Sequence, residues 1–206
     1  MSSASFFQVL RQAASEALLK DASVLKPAVD ILKAQKTTSI FAGTQLQQPN
    51  LFMAIGWDSA EDHASFKSSS TYTDFLAALN PALAPSAAKP DTHLVRFEKD
   101  PLVTLKAPFT EFLWLGLKQG AKAEELAEAV HGVESVVNKA VEEGISVGGF
   151  GGKYVDSGDV LFFGGWTSPE VVSAYVHRPE NWALVSKVGP LASVDLTFSK
   201  LTSYKE

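Results

Sequence analysis

Residues 52–61, FMAIGWDSAE, recur in altered form as residues 162–170, FFGGWTSPE. In both stretches an apolar run ends in a Gly-Trp pair, and a polar, acidic segment follows. The two tryptophans, Trp57 and Trp166, are 109 residues apart. An apolar run that ends in this way is typical of a buried strand leading into a turn and a helix.

The same spacing of 109 residues relates further positions, for example Gly43 to Gly152 and Phe66 to Tyr175. An ordered set of matches at one spacing is typical of an internal repeat. The sequence therefore predicts a duplicated chain, with one repeat over residues 1–100 and the other over residues 106–206.

The second repeat has the clearer periodicity. Apolar residues spaced by 4, 3, 4 and 4 positions from Leu126 to Val141 predict an amphipathic helix over residues 122–143. Pro169 at a helix start and Pro179 as a helix breaker predict two further short helices. Strands are predicted over residues 111–118, 145–154, 160–166 and 194–198, the last one half-buried.

The resulting order is β-α-β-β-α-β, the split βαβ or ferredoxin-like unit. The first repeat follows the same order, with its first helix at about Ala22 to Gln35. Two such units can pair and so cover exposed sheet edges and apolar surface. We therefore predict an α+β fold in which two repeats form an intramolecular pseudo-dimeric barrel.

Composition excludes several classes of protein. The 206 residues include no cysteine and carry a net charge of −5. This argues against thiolate metal sites, cysteine nucleophiles and phosphate-directed binding of nucleic acid. No apolar run approaches the length of a membrane span, and the start lacks the pattern of a signal peptide. We expect a cytoplasmic protein, monomer or homodimer, without a nucleic-acid or membrane partner.

Residues 168–182, SPEVVSAYVHRPENW, followed by Val188-Gly189-Pro190-Leu191 and Val194-Asp195, resemble the stress-responsive α/β-barrel family. This family belongs to the dimeric α+β barrel superfamily. Its members show a Tyr, a His-Pro-x-His stretch, an apolar helix and a Val-Asp strand. The resemblance covers the second repeat directly and the first one through the internal repetition.

Plant polyketide cyclases of this family use the Tyr and the second His as acid and base, without a cofactor. The resemblance places Tyr175 on that Tyr, Arg178 on the first His and Asn181 on the catalytic His. A further family His, in the first strand, falls on Glu111, whose counterpart in the first repeat is expected near Ser5. Since an amide does not take up a proton near neutral pH, only Glu111 or His177 is left to serve as a base.

Each candidate has a structural alternative. Glu111 is either a buried carboxyl with a raised pKa or a residue at the exposed entry of its strand. Tyr175 either donates a hydrogen bond into a cavity or fills the core. Asn181 either binds a ligand or caps the helix that restarts after Pro179.

The four histidines show no metal-ligand spacing, and we expect no metal and no cofactor. His63 and His131 fall on polar helix positions and are predicted to lie at the surface. His177 lies beside the family motif and is a candidate for the pocket. The glycine-rich residues 144–154 fit no phosphate-loop template, and they predict either a β-bulge or a place where a ligand approaches the backbone.

Three functions remain open. The first is binding of a small apolar or aromatic molecule in a cavity of the second repeat, by Glu111, Trp114, Tyr175, His177 and Asn181. The second is a cofactor-independent polyketide cyclase or monooxygenase. The third is a stress or interaction protein without small-molecule chemistry.

Overall fold

A computed structural model describes residues 4–85 and 90–206. The chain divides into two compact units. The N-terminal unit comprises Ser5–Leu94 and Leu201–Glu206, and the C-terminal unit comprises Val95–Lys200 with Ala4.

The N-terminal unit alternates strands and short helices. It contains β1 (Ser5–Ala13), α1 (Glu16–Lys20), α2 (Lys26–Lys33), β2 (Thr37–Gln45), β3 (Asn50–Trp57), α3 (Ala60–Lys67), α4 (Ser70–Leu79) and most of β4 (Asp91–Phe97). The helix predicted over residues 22–35 begins with a 3-10 turn, Ala22–Leu25, and continues as α2.

The C-terminal unit also contains strands and helices, and one of its helices is long. It contains α5 (Leu102–Leu105), β5 (Phe109–Leu117), α6 (Ala123–Glu142), β6 (Ser146–Tyr154), β7 (Val160–Trp166), α7 (Pro169–Val176), α8 (Pro179–Val185), α9 (Val188–Leu191) and most of β8 (Ala192–Lys205). The predicted long helix, the two short helices and three of the four strands are confirmed within a few residues. The fourth strand, β8, is longer than predicted and continues to Lys205.

The sheets are antiparallel. In the N-terminal unit β3 lies between β1 and β2. In the C-terminal unit the strand order is β8-β5-β7-β6, and the last residues of β4, Val95 to Phe97, pair with β6. Trp57 and Trp166 are the last residues of β3 and β7, and each lies beside a register shift in the neighbouring strand. The predicted mixed α+β character is confirmed.

One face of the C-terminal sheet carries the helices. Four residues of the predicted apolar stripe of α6 are buried against the sheet: Leu126, Val130, Val133 and Val137. The last residue of the stripe, Val141, is 44% exposed. On the opposite face Phe97, Phe112 and Phe163 pack together with ring centroids about 5 Å apart. Side chains of one strand alternate between these two faces.

Two structural features account for the glycines of strand β6. A β-bulge interrupts its pairing with β7 between Ser146 and Gly148, as predicted. Gly149 lies directly beneath α6, where an added Cβ would collide with the Phe162 ring and come within 2.9 Å of Val137. The missing side chain therefore allows the helix to approach the sheet closely.

Replacing Gly149 with alanine is expected to destabilise the protein by about 1–3 kcal/mol, because the methyl group overpacks the contact between helix and sheet. Gly132→Ala in α6 is the matched control. Its Cβ would lie 3.7 Å from Leu184, an ordinary contact, and alanine favours the helix by about 0.5–1 kcal/mol. Urea unfolding of both variants measures the effects, and equal changes would contradict the close-approach argument.

Strand β8 departs from expectation on its apolar side. Its alternation predicts that Val194 and Leu196 are buried and their neighbours exposed, but the two side chains are 52% and 43% exposed. Thr197 and Ser199 are buried instead. No helix covers Val194 and Leu196 fully, because both face an open cavity on the helical side of the sheet.

Within residues 4–85 and 90–206, no helix is both long and apolar enough to cross a membrane.

Candidate functional site

A cavity of about 520 Å³ lies between sheet and helices of the C-terminal unit. Its sheet side is formed by residues of β5, β7 and β8, among them Leu113, Trp166 and Phe198. Valines of α6, α7, α8 and α9 form the helical walls. The lining is mostly aliphatic and aromatic, which is the usual character of small-molecule sites.

Glu111 of β5 brings a carboxyl group into this apolar cavity. The residue is 5% exposed, and Nε1–H of Trp166 donates a hydrogen bond of 2.7 Å to its Oε2. Burial raises the pKa of the Glu111 carboxyl from 4.5 to about 7, although the bond from Trp166 lowers it in part. Of the two predicted alternatives, the buried carboxyl is confirmed and the exposed strand entry is wrong.

Gly164 makes room for the bond between Glu111 and Trp166. It is the direct partner of Glu111 across the β5–β7 pairing. An added Cβ at this position would lie 2.6 Å from Glu111 Oε2 and 2.7 Å from Trp166 Nε1. A side chain here would therefore separate donor and acceptor.

The N-terminal unit has the same strand relation with different residues. Gln8 of β1 lies opposite Ile55, two positions before Trp57 in β3. The strand register thus makes Gln8 the counterpart of Glu111, three positions beyond the expected Ser5. Gln8 Oε1 and Trp57 Nε1 are buried, and neither bonds to another described atom. Ile55 occupies the strand position that Gly164 has in the C-terminal unit.

Aromatic side chains pack around Trp57 in the N-terminal unit. Phe66 and His63 lie 5.1 and 5.5 Å from the indole, and Phe75 lies behind Phe66 at 5.9 Å between ring centroids. The surface position predicted for His63 is wrong: the ring is buried, and burial lowers its pKa to about 4. His63 is buried because it packs against apolar side chains around α3 and α4. The helix α3 is too short for its polar pattern alone to show which side chains face the core.

His177, at the end of α7, lines the cavity with Trp182 of α8. The imidazole lies stacked on the indole, with centroids 5.0 Å apart and planes 18° apart. His177 Nδ1 is 2.7 Å from the carbonyl oxygen of Ser173, an arrangement in which Nδ1–H is the donor. This tautomer leaves Nε2 as an acceptor.

Tyr175 belongs to the helix–sheet core and is not among the residues that line the cavity. It is buried, its ring lies 6.4 Å from that of Trp166, and the guanidinium of Arg178 covers it at 4.4 Å. Arg178, on the family's first His position, also donates two hydrogen bonds to Glu143. The burial of Tyr175 agrees with its core alternative.

Asn181 is buried at the start of α8, and its Nδ2 donates a hydrogen bond of 2.9 Å to the carbonyl oxygen of Tyr175. It therefore satisfies a carbonyl near the end of α7 and joins two consecutive helices. This contact differs from the predicted cap of α8, because a capping side chain at a helix start accepts from a backbone N–H, whereas Asn181 donates to a carbonyl oxygen near the end of α7.

Trp114 lies on the other face of the sheet, stacked on Phe112 at 6.4 Å. It is three positions from Glu111 in one strand, and an odd separation places the two side chains on opposite faces. Of the five candidate residues, the structure brings Glu111 and His177 into the cavity lining. Trp114, Tyr175 and Asn181 lie outside that lining.

Sequence reasoning missed the cavity residues of β8 and the role of Gly164. The exposed Val194 and Leu196 alternate like core residues, because alternation identifies a face without showing what covers it. In the sequence Gly164 is only part of a repeated Gly-Trp motif. Its register opposite Glu111 depends on the β5–β7 pairing.

A smaller depression of about 190 Å³ lies over β6. His131 is at its rim, exposed as predicted, with Nδ1 2.9 Å from Glu134. The other Glu134 oxygen accepts a hydrogen bond from the backbone N–H of Gly151. These contacts are explained by the packing of α6 on β6.

Solved structures of three proteins resemble the whole chain. A putative monooxygenase from Lactobacillus acidophilus NCFM has a TM-score of 0.65 at 14% identity and covers 98% of this chain and 97% of its own. A putative monooxygenase from Fusobacterium nucleatum has a TM-score of 0.67 at 10% identity, with full coverage of both chains. An anthrone oxidase-like protein has a TM-score of 0.68 at 12% identity and covers 100% of this chain and 95% of its own.

At these identities the likeness shows a shared fold. No protein-family model and no curated protein sequence matches the chain.

Proposed function

We propose that the protein binds a small apolar or aromatic molecule in the cavity of the C-terminal unit. The observation that carries this proposal is an open apolar cavity with one buried carboxyl group on its wall. Its volume of about 520 Å³ lies within the range of sites for organic molecules. Exposed apolar side chains at its edge, Val194, Leu196 and Trp182, are the surface that such a ligand would cover.

We further propose that the chain is a tandem member of the stress-responsive α/β-barrel family, duplicated over residues 1–100 and 106–206, with its two halves forming a pseudo-dimeric barrel. The element bounds support a duplication. Thr37–Gln45 and Ser146–Tyr154 are strands related by the same spacing of 109 residues as the tryptophans, and so are the helices Ala60–Lys67 and Pro169–Val176.

Cofactor-independent catalysis, as a polyketide cyclase or a monooxygenase, is the second candidate. It is favoured by the position of Glu111, a carboxyl with a pKa of about 7 that faces an apolar cavity. Such a group exchanges protons readily at neutral pH, as a general base or acid must. The names of the structurally similar proteins are in line with this chemistry.

A stress or interaction protein without small-molecule chemistry is the third candidate. A function of this kind does not need a cavity. The described cavity therefore favours the first two functions.

Native mass spectrometry of the protein as isolated tests the binding proposal. We expect a species heavier than the calculated chain mass, which returns to the chain mass on denaturation and releases a small molecule. Val172→Trp is the variant that should block binding, because it adds a large side chain at a buried position of the lining. Retention of the adduct by a folded Val172→Trp protein would place the ligand elsewhere and contradict the proposal.

Ligand contact by Tyr175, Asn181 and Trp114 remains a prediction. Direct contact of the Tyr175 hydroxyl with a neutral ligand would make Tyr175→Phe weaken binding by about 1 kcal/mol. Asn181→Ala removes the hydrogen bond that joins α8 to the Tyr175 carbonyl of α7. We expect it to lower the free energy of unfolding by about 1 kcal/mol. Titration calorimetry with the isolated ligand decides, and unchanged affinity in both variants would reject direct contact.

A further inference from the structure

The charge of the cavity wall restricts what can bind there. Among the described residues that line the cavity, Glu111 is the one acidic residue, and none is a lysine or an arginine. The other polar side chains are His177, Ser173 and Ser186, all on the helical side. A ligand whose polar group reaches the sheet therefore meets a carboxyl group without a cation beside it.

Glu111 has one oxygen in use and one available. Oε2 accepts the hydrogen bond from Trp166, and Gly164 leaves space for that bond. Among the residues that the structure describes, none donates a hydrogen bond to Oε1. Since the Trp166 bond holds the carboxyl in one orientation, Oε1 has a fixed position relative to the apolar walls.

An ionised carboxylate in apolar surroundings is costly unless a donor or a cation accompanies it. A ligand with an N–H or O–H donor supplies that partner, and an ammonium group supplies the charge as well. A ligand carboxylate would place two anions together in a region of low dielectric constant. Anionic ligands are therefore disfavoured by the same group that favours donors.

We infer that the cavity selects aromatic or aliphatic molecules whose polar end is an amine or hydroxyl donor to Glu111 Oε1, and that it rejects their carboxylate analogues. This inference rests on the proposed binding function and adds the chemical class of the ligand. Trp166 acts as a positioning residue through its hydrogen bond to Glu111 Oε2, and Gly164 leaves the space for that bond.

Four probes with one apolar body test the inference: 1-naphthylmethylamine, 1-naphthylmethanol, 1-naphthoate and 1-methylnaphthalene. Titration calorimetry at pH 8 measures their affinities for the full-length protein. We expect the amine and the alcohol to bind more tightly than methylnaphthalene, the amine by about tenfold, the equivalent of one charge-assisted hydrogen bond. Naphthoate is expected to bind at least tenfold more weakly than the amine.

Glu111→Gln is the decisive variant, because glutamine keeps the shape and an acceptor for Trp166 while removing the charge. In this variant the amine should lose its advantage and naphthoate should bind as well as methylnaphthalene. Far-ultraviolet circular dichroism and the affinity for methylnaphthalene report whether fold and cavity survive. Asp195→Asn, a neighbouring exposed carboxylate outside the lining, is the control and should leave the order unchanged.

A second arm lowers the pH to 5.5. Protonated Glu111 is neutral, so the penalty on naphthoate should shrink and the advantage of the amine should fall. His177 is the other ionisable residue of the described lining, and it is intact in Glu111→Gln. A pH dependence that persists in Glu111→Gln would overturn the assignment to Glu111.

The outcomes separate the two proposals. Equal binding of all four probes to the wild-type protein would overturn charge selection and leave apolar binding in place. Tighter binding of naphthoate than of the amine would also overturn the inference, because it would show that the cavity favours anions. Absence of binding for every probe, including methylnaphthalene, would overturn both.

Discussion

Replacing Trp166 with alanine is expected to lower the free energy of unfolding by about 3–5 kcal/mol, the range for removing a buried aromatic side chain. The indole is fully buried at the end of β7 and packs against the ring of Tyr175. Its loss also removes the donor to Glu111 Oε2 and leaves a buried carboxyl without its partner. Urea unfolding followed by circular dichroism measures the change.

Trp182→Ala is the matched control, since this indole is 47% exposed. We expect it to change stability by less than about 1 kcal/mol. Trp57, buried at the end of β3, is expected to behave like Trp166, because both residues end a central strand beneath helices. A loss below about 1 kcal/mol for Trp166→Ala would contradict its place in the core.

We expect the effect of Glu111→Gln on the free energy of unfolding to depend on pH. The change should be about 3 kcal/mol more stabilising at pH 8 than at pH 4. The folded protein raises the pKa of this carboxyl from 4.5 to about 7, so the folded state favours the neutral acid. As pH rises from 4.5 to 7, the unfolded chain loses its proton first. The wild-type protein therefore loses stability over this window, and the glutamine variant does not.

His63 produces the opposite slope in both proteins. Its pKa is lowered from 6.5 to about 4 by burial, so stability rises with pH over a window that overlaps that of Glu111. The stability profile of the wild-type protein alone would hide both effects. The difference between variant and wild type isolates Glu111, and a difference that is constant from pH 4 to pH 8 would show that this carboxyl is not buried.

The two units differ at a position that decides whether a site can form. Gly164 lies opposite Glu111 and permits its bond to Trp166, whereas Ile55 lies opposite Gln8 beside Trp57. In the N-terminal unit the rings of His63 and Phe66 also pack on Trp57. The proposed restriction of binding to the C-terminal unit is thus a matter of side-chain volume as much as of charge.

Local patterns in the sequence determine a large part of the fold. The valine spacing of α6, the proline positions that begin α7 and α8, and the alternation in the strands each follow from short-range geometry, in which a side chain's direction repeats every 3.6 or 2 residues. The chain's own residues, together with the family resemblance, also identify Glu111 and His177 as candidates for the cavity.

Only the tertiary structure decides which apolar faces are covered and which line a cavity. Val194 and Leu196 alternate like core residues, yet they are exposed because α7 and α8 stand away from them. His63 follows a polar pattern and is buried because Trp57 and Phe66 surround it. Burial depends on distant elements that sequence spacing does not relate to one another.

The carboxyl chemistry of the site depends on tertiary structure in the same way. The sequence places Glu111 in an apolar strand, where burial and exposure at the strand entry are both open. The β5–β7 register brings Gly164 opposite it and Trp166 within 2.7 Å, while the helices withdraw it from water. Its pKa is set by desolvation and by that one donor, which lies 55 positions away in the chain.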